Sequence, residues 1–182
     1  MYEFLVLGAL ARRPMHGYMI AKILGNIMGP FRQVQWGALY PLLSRLEREG
    51  LIRVEEPGDP GERARKVYAI TLRGRECLHE HLMDTERHLG EYDTMFTHKV
   101  TLFSQLQPDE RLYLSRHYFV HAQQNVAHLQ RKRHDLIETV THLSEPEKEY
   151  ILAVMDHRIE YWRSEMAWAE ELIAQNTAKE AV

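Results

Sequence analysis

Three groups of residues in this chain have types and spacings that can do chemistry. Gln35, Trp36, Ala38 and Tyr40 stand together at the head of a helix-forming run. A glutamine amide can pair with an adenine edge, an alanine methyl can lie against a thymine methyl, and a tyrosine hydroxyl can donate to a phosphate. Arg63, Arg65 and Lys66 form the second group, a basic run behind the turn-forming cluster Pro57-Gly58-Asp59-Pro60-Gly61. Cations so placed suit phosphate neutralisation, to which Arg45, His16, Arg12 and Arg13 can add. The bland alternatives are a solvated charged face for the basic residues and loop packing for Trp36 and Tyr40.

The third group is the histidines, eleven in all. His117 and His121 have the i, i+4 spacing that can clamp zinc on a helix, and His79-Glu80-His81 is a second cluster. Neither shows a matched third ligand, so neither a metal nor any other cofactor is expected. Cys77 is the sole cysteine, which excludes an intrachain disulfide and an all-cysteine zinc cluster, and it reads as a small packing residue. No nucleophile elbow, glycine-rich phosphate loop or metalloprotease motif is present, so an enzyme is not expected.

The elements that must position these residues follow from periodicity. Tyr2 to Ala11 reads as a helix stopped by Pro14, and a second helix runs from His16 or Gly17 to Ile27. Leu39, Leu42, Leu43 and Leu46 recur at helical spacing, which predicts regular helix from about Ala38 to Glu49 with Pro41 in its first turn. Gly50 suits a left-handed cap, Leu51 to Val54 a strand, and Arg63 to Ile70 a second strand with a basic entrance. Helix, helix, helix, strand, basic loop, strand is the winged helix-turn-helix pattern, whose third helix reaches the major groove.

Leu39-Tyr40-Pro41, Leu43, Arg45-Leu46-Glu47, Gly50-Leu51-Ile52 and Tyr68-Ala69-Ile70-Thr71-Leu72-Arg73-Gly74 closely resemble the PadR-type transcriptional regulators. His16-Gly17-Tyr18 resembles the same family, although Met19 stands where an acidic residue is common. The resemblance implies a DNA-binding head followed by a C-terminal helical domain that dimerises. It further implies release from DNA by a small, typically aromatic molecule near the junction of the domains. Candidate walls for that effector are Phe4, Tyr92, Phe96, Trp162 and Trp168, for each of which ordinary core packing is the alternative.

Beyond the wing, Thr71 can cap a helix that starts near Leu72 and runs past Leu89, and a short helix is expected between Leu89 and Ser104. Pro108 opens a long helix whose seam is Leu112, Ser115, Phe119, Ala122, Val126 and Leu129, then Arg133 as an interruption before Leu136. Ser144, Pro146 and Glu147 start a last helix with the matching seam Ile151, Met155, Ile159, Trp162, Met166, Ala169 and Ile173. Tyr150, Val154, Tyr161, Trp168 and Leu172 widen that stripe beyond what one partner helix covers, which predicts a homodimer.

Charge divides the chain in the same way. Residues 1–83 hold 12 Lys/Arg against 9 Asp/Glu and the rest 11 against 17, a split of +3 and −6 within a net −3. The first part is therefore the one suited to a polyanion. The expectation is a mostly α protein with a small β-wing: a winged helix-turn-helix DNA-binding domain at 1–89 and an antiparallel helical dimerisation and effector domain at 90–182. The apolar N-terminal run lacks a basic leader and is too short for a bilayer, so a cytoplasmic protein without a membrane partner is expected. Its function would be a repressor that binds an inverted-repeat operator on double-stranded DNA as a homodimer and is released by an aromatic effector such as a phenolic acid. An activator, a multidrug-responsive regulator and a helical protein-interaction scaffold are the alternatives.

Overall fold

A computed structural model describes residues 1–28, 36–55, 66–87, 89–139 and 142–180. They fold into two compact units, one of residues 1–88 with 97–105, the other of residues 89–96 with 106–182. Segment 97–105 thus belongs with the N-terminal unit although it follows residue 89 in sequence.

The N-terminal unit is built on α1 (Tyr2–Arg12), in which every residue from Phe4 to Ala11 is buried. A helix apolar all round has to be enclosed on every side. Helix α4 (Leu72–Met83), α2 (Gly17–Met28) and strand β3 (Val67–Ile70) pack against it. Leu102 also docks on α1, over Gly8, where an added Cβ would stand 2.6 Å from Leu102 Cδ1. The helix ends at Arg13, which is extended ahead of Pro14 as the ring of a following proline requires.

Helix α3 (Trp36–Arg48) buries Leu39, Leu43 and Leu46. It begins a turn earlier than Pro41 in the first turn would require, so this proline lies inside the helix. The missing amide hydrogen deprives the Gly37 carbonyl of its helical partner, and the interruption is tolerated because Gly37 and Pro41 are both exposed.

At the other end Gly50 has φ +73°. Its amide donates to the Glu47 carbonyl at 3.0 Å and the Leu51 amide to Leu46 at 2.9 Å, the paired bonds of a left-handed helix cap. The chain then enters β2 (Ile52–Glu55), which pairs antiparallel with β3 in the register Ile52 with Ile70 through Glu55 with Val67. A two-residue strand, β1 (Met15–His16), pairs with the other edge of β3 and gives the order β1-β3-β2.

Thr71 caps α4 as expected, its Oγ1 accepting from the Gly74 amide at 3.0 Å. Gly74 lies so close to the start of β2 that an added Cβ would fall 2.0 Å from the Leu51 carbonyl oxygen. Helix α4 does not run past Leu89. It stops at Met83 because the Asp84 carboxylate accepts from the amides of Glu86 and Arg87, both at 3.0 Å, and turns the chain.

Helix α5 (Tyr92–Val100) fills the short-helix expectation and contributes its first half to the C-terminal unit. That unit is chiefly the pair α6 (Pro108–Thr139) and α7 (Glu145–Glu180). Their antiparallel pairing follows from Tyr118 bonding Glu165 while Arg133 bonds Asp156. Ala122, Leu129, Ile159 and Trp162 form its core cluster, with Val126 and Met166 against them.

Arg133, the break in the seam, is met by Asp156 at 2.6 and 3.3 Å. Two seam positions differ from expectation. Tyr118 and Leu172 are buried, whereas Phe119 and Ile173 are only half-buried. The start of α7 carries part of the capping box, with Glu147 Oε2 accepting from the Ser144 amide at 2.9 Å. Among the described residues no helix is long and apolar enough to cross a membrane.

Candidate nucleic-acid interface

The burial of Leu39, Leu43 and Leu46 turns the opposite side of α3 outward, and Gly37, Ala38, Tyr40, Pro41, Ser44 and Arg48 are all exposed. Residues 37, 41, 44 and 48 follow the helical spacing, so they form one stripe along the helix. No acidic residue occupies the first turn. The amide and dipole end of α3 is therefore electrostatically open to an anion. Tyr40 is placed by α2, since a Cβ on Gly17 would lie 3.5 Å from its ring.

Trp36 is the first residue of α3, and Gln35 lies outside the described residues. Arg63 and Arg65 lie outside them as well, while Lys66 is exposed immediately before β3. His16 pairs with Val67, so it sits beside the base of the wing next to Lys66. It is half-buried, and its Nδ1 has no hydrogen-bond partner among the described residues. Arg12 donates to the Thr101 carbonyl at 3.0 Å, and Arg13 is exposed.

Arg45 faces elsewhere. Its guanidinium contacts Glu3 of α1 at 2.6 Å and Glu49 at 3.5 Å, and the hydrogen bond to Glu3 raises its pKa further. An arginine so occupied orients α3 on α1 and has less to offer a phosphate. Sequence reasoning missed this role, whose only local signal is one acidic residue in an otherwise apolar first helix. The leucine spacing puts Ser44 and Arg48 away from the packed face, and both are exposed there.

The five aromatic residues named for an effector divide between the units. Phe4 is buried in the N-terminal unit with its ring edge-on to His81. Tyr92, Phe96, Trp162 and Trp168 belong to the C-terminal unit. There Phe96 stacks on Tyr118 with ring centroids 3.9 Å apart, Trp168 meets Phe96 edge-on at 5.6 Å, and His121 lies between Tyr92 and Trp162. Tyr92 and Phe96 are closely packed and almost fully buried.

Polar groups sit at the margin of this cluster. Tyr92 Oη lies 2.9 Å from His117 Nδ1, Tyr161 donates to Asp93 at 2.9 Å, and Tyr118 donates to Glu165. Burial first, and then Glu165, pushes the Tyr118 phenol far above its ordinary range. Burial also lowers His121, helped by the charge of His117, which favours a neutral imidazole.

A short three-stranded wing behind a three-helix core, with an outward third helix, defines a winged helix-turn-helix protein. Residues 6–80 match the transcriptional regulator PadR-like family. That match covers the N-terminal domain, which is therefore similar to the DNA-binding heads of PadR-like transcriptional regulators.

It is similar to the negative transcriptional regulator PadR of Bacillus subtilis, 24% identical over 177 residues that cover 94% of this chain and 95% of the relative. An uncharacterized 37.1 kDa protein in transposon TN4556 of Streptomyces fradiae is 33% identical over 117 residues, 62% of this chain. The match spans only 28% of that protein's length. Among solved structures it resembles Bacillus subtilis PadR in complex with operator DNA, at 21% identity, 96% coverage of both chains and a TM-score of 0.43. The same protein in complex with p-coumaric acid is matched over 96% of this chain and 98% of that one, at 21% identity and a TM-score of 0.40.

Proposed function

We propose that this chain is a cytoplasmic repressor that binds an inverted-repeat operator as a homodimer and is released by a small aromatic effector. The observation that carries the reading is the broad exposed side of α3, which presents Ala38, Tyr40, Ser44 and Arg48 from a helix with no acid in its first turn. On this reading Gln35 and Ala38 are assigned to base edges, and Tyr40, Arg48, Arg63, Arg65 and Lys66 to phosphates. His16 supports the wing from β1. The repressive sense is supported by the curated relative, a negative transcriptional regulator similar over nearly the whole chain.

The dimer reading rests on α7. Tyr150 is 74% exposed, Val154 59% and Tyr161 41%. Positions 150, 154 and 161 fall within one narrow helical stripe, and large apolar groups aligned on one exposed face fit a second copy of the hairpin. The effector is assigned to the aromatic cluster of Tyr92, Phe96, Trp162 and Trp168, with Phe4 left to the core of the head.

Binding of the full chain to its own upstream DNA tests the reading, with p-coumaric acid as the first compound to add. Specific retention of that fragment by a dimer, lost on adding the acid, is the expected result. Retention no better than that of unrelated DNA would overturn it.

A further inference from the structure

The sequence offered histidine pairs without a third metal ligand, and the fold brings together a different set. Glu3 of α1 reaches the face of α4 that carries Cys77 and His81, a pair at i, i+4 spacing. His81 Nε2 lies 3.1 Å from Glu3 Oε1 and Cys77 Sγ lies 3.8 Å from the same oxygen. All three ligand atoms fall within 4.8 Å of one another.

A tetrahedral zinc with ordinary bond lengths separates neighbouring nitrogen, oxygen and sulfur ligands by about 3.3–3.7 Å. Two of the three separations are thus already close to those of a bound metal. We propose that Glu3, Cys77 and His81 form a binding site for a soft divalent cation of the zinc class, with a water molecule as the fourth ligand.

The donor set is coherent. A thiolate and an imidazole select a soft or borderline cation over magnesium or calcium, and the carboxylate completes the triad. Arg45 contacts Glu3 through Oε2, which leaves Oε1 directed at Cys77 and His81. One carboxylate can therefore hold the recognition helix with one oxygen and the metal with the other. Thiolate and carboxylate charges balance the divalent cation, while Arg45, Glu49 and Glu80 are the further charges around the site.

Burial first, and the charges of Glu3 and Glu80 after it, push the Cys77 thiol up. A thiol in that state is a poor sensor of oxidants but is deprotonated by a coordinating metal. Its proton leaves to solvent as the cation enters. Cys77 is half-buried and the His81 side chain 26% exposed, so the site opens to water. The proposal gives the DNA-binding head a cation input in addition to the aromatic one. Metal binding itself does not depend on the repressor reading.

Cobalt titration of the reduced, EDTA-stripped full chain tests it without DNA, so its failure would leave the repressor reading standing. One cobalt per chain should bind with a sulfur-to-cobalt charge-transfer band that zinc abolishes by displacement. Cys77→Ser, checked for folding by metal-free thermal melting, should lose the band. His81→Gln should keep it with affinity lowered at least about tenfold. Zinc should raise the melting temperature of the wild type and leave that of Cys77→Ser unchanged. A folded wild type with no sulfur band, or a titration that Cys77→Ser leaves unaltered, would overturn the proposal and assign any bound cobalt to other histidines.

Discussion

The two units bury their helices in opposite ways. In the N-terminal unit α1 is enclosed from Phe4 to Ala11, and its neighbours are brought to fixed distances by Gly8 under Leu102 and Gly74 under the Leu51 carbonyl. In the C-terminal unit α7 runs 36 residues and buries a narrow strip, while Tyr150, Val154 and Tyr161 remain in water. One unit encloses a helix on every side, and the other leaves an aligned apolar stripe of α7 exposed. A rigid head suits a task that needs side chains held at a set spacing on DNA. An unsatisfied helical face suits assembly.

The sharpest way to break this contrast is at Gly74. An alanine Cβ there meets backbone 2.0 Å away, which no rotamer change relieves, so Gly74→Ala should cost ~3 kcal/mol or more in denaturant unfolding. A near-neutral result would mean that the head is not tightly fitted at that joint.

Lys99 is a buried charge in the N-terminal unit, 2% exposed, with its ammonium donating to the Asp84 carbonyl. Burial lowers it to about 8, against which Asp84 acts weakly, from an ordinary value of 10.5. The unfolded chain then binds more protons between those two values, so folding stability gains as pH rises through that window. Below it the cost of the buried charge is present in full. The gain should be ~2 kcal/mol in the wild type and be absent from Lys99→Met, measured by urea unfolding at pH 8 and pH 10.

For the other side of the contrast, Tyr150→Lys with Val154→Lys should weaken self-association by ~30-fold, about 2 kcal/mol, in sedimentation equilibrium. Helix content should stay the same, because both side chains already face water. A wild type that sediments as a monomer would remove the assembly reading altogether. The smallest change is at the α4 cap, where Thr71→Ala should cost ~1 kcal/mol of thermal stability by leaving the Gly74 amide without its partner.

What could be read from the sequence had local causes. The proline after α1, Gly50 behind α3, the Thr71 cap and the Ser144 and Glu147 turn each act within a few residues, and each is found where its chemistry placed it. The leucine spacing of α3 identified its outward face by exclusion. What could not be read depends on partners far apart in the chain.

Arg45 looks free until Glu3, 42 residues away, is brought to it. The Cys77 and His81 pair lacks a third donor until α1 supplies the same Glu3. The end of α4 was missed because its apolar pattern continues past Met83, while the Asp84 side chain outcompetes the next helical turn. Phe4 was grouped with Tyr92, Phe96, Trp162 and Trp168 on residue type alone, and type does not reveal which unit an aromatic side chain fills.

The central claim is that the head presents α3 and a basic wing to operator DNA, and salt-dependent binding tests it most directly. The wild type and Lys66→Ala would be titrated onto the chain's own upstream fragment and onto unrelated DNA across a range of salt. The account predicts preference for the upstream fragment and a log–log salt slope shallower by about one in the variant, the signature of one lost phosphate contact. Equal binding to both DNAs, with the same slope for both proteins, would contradict it.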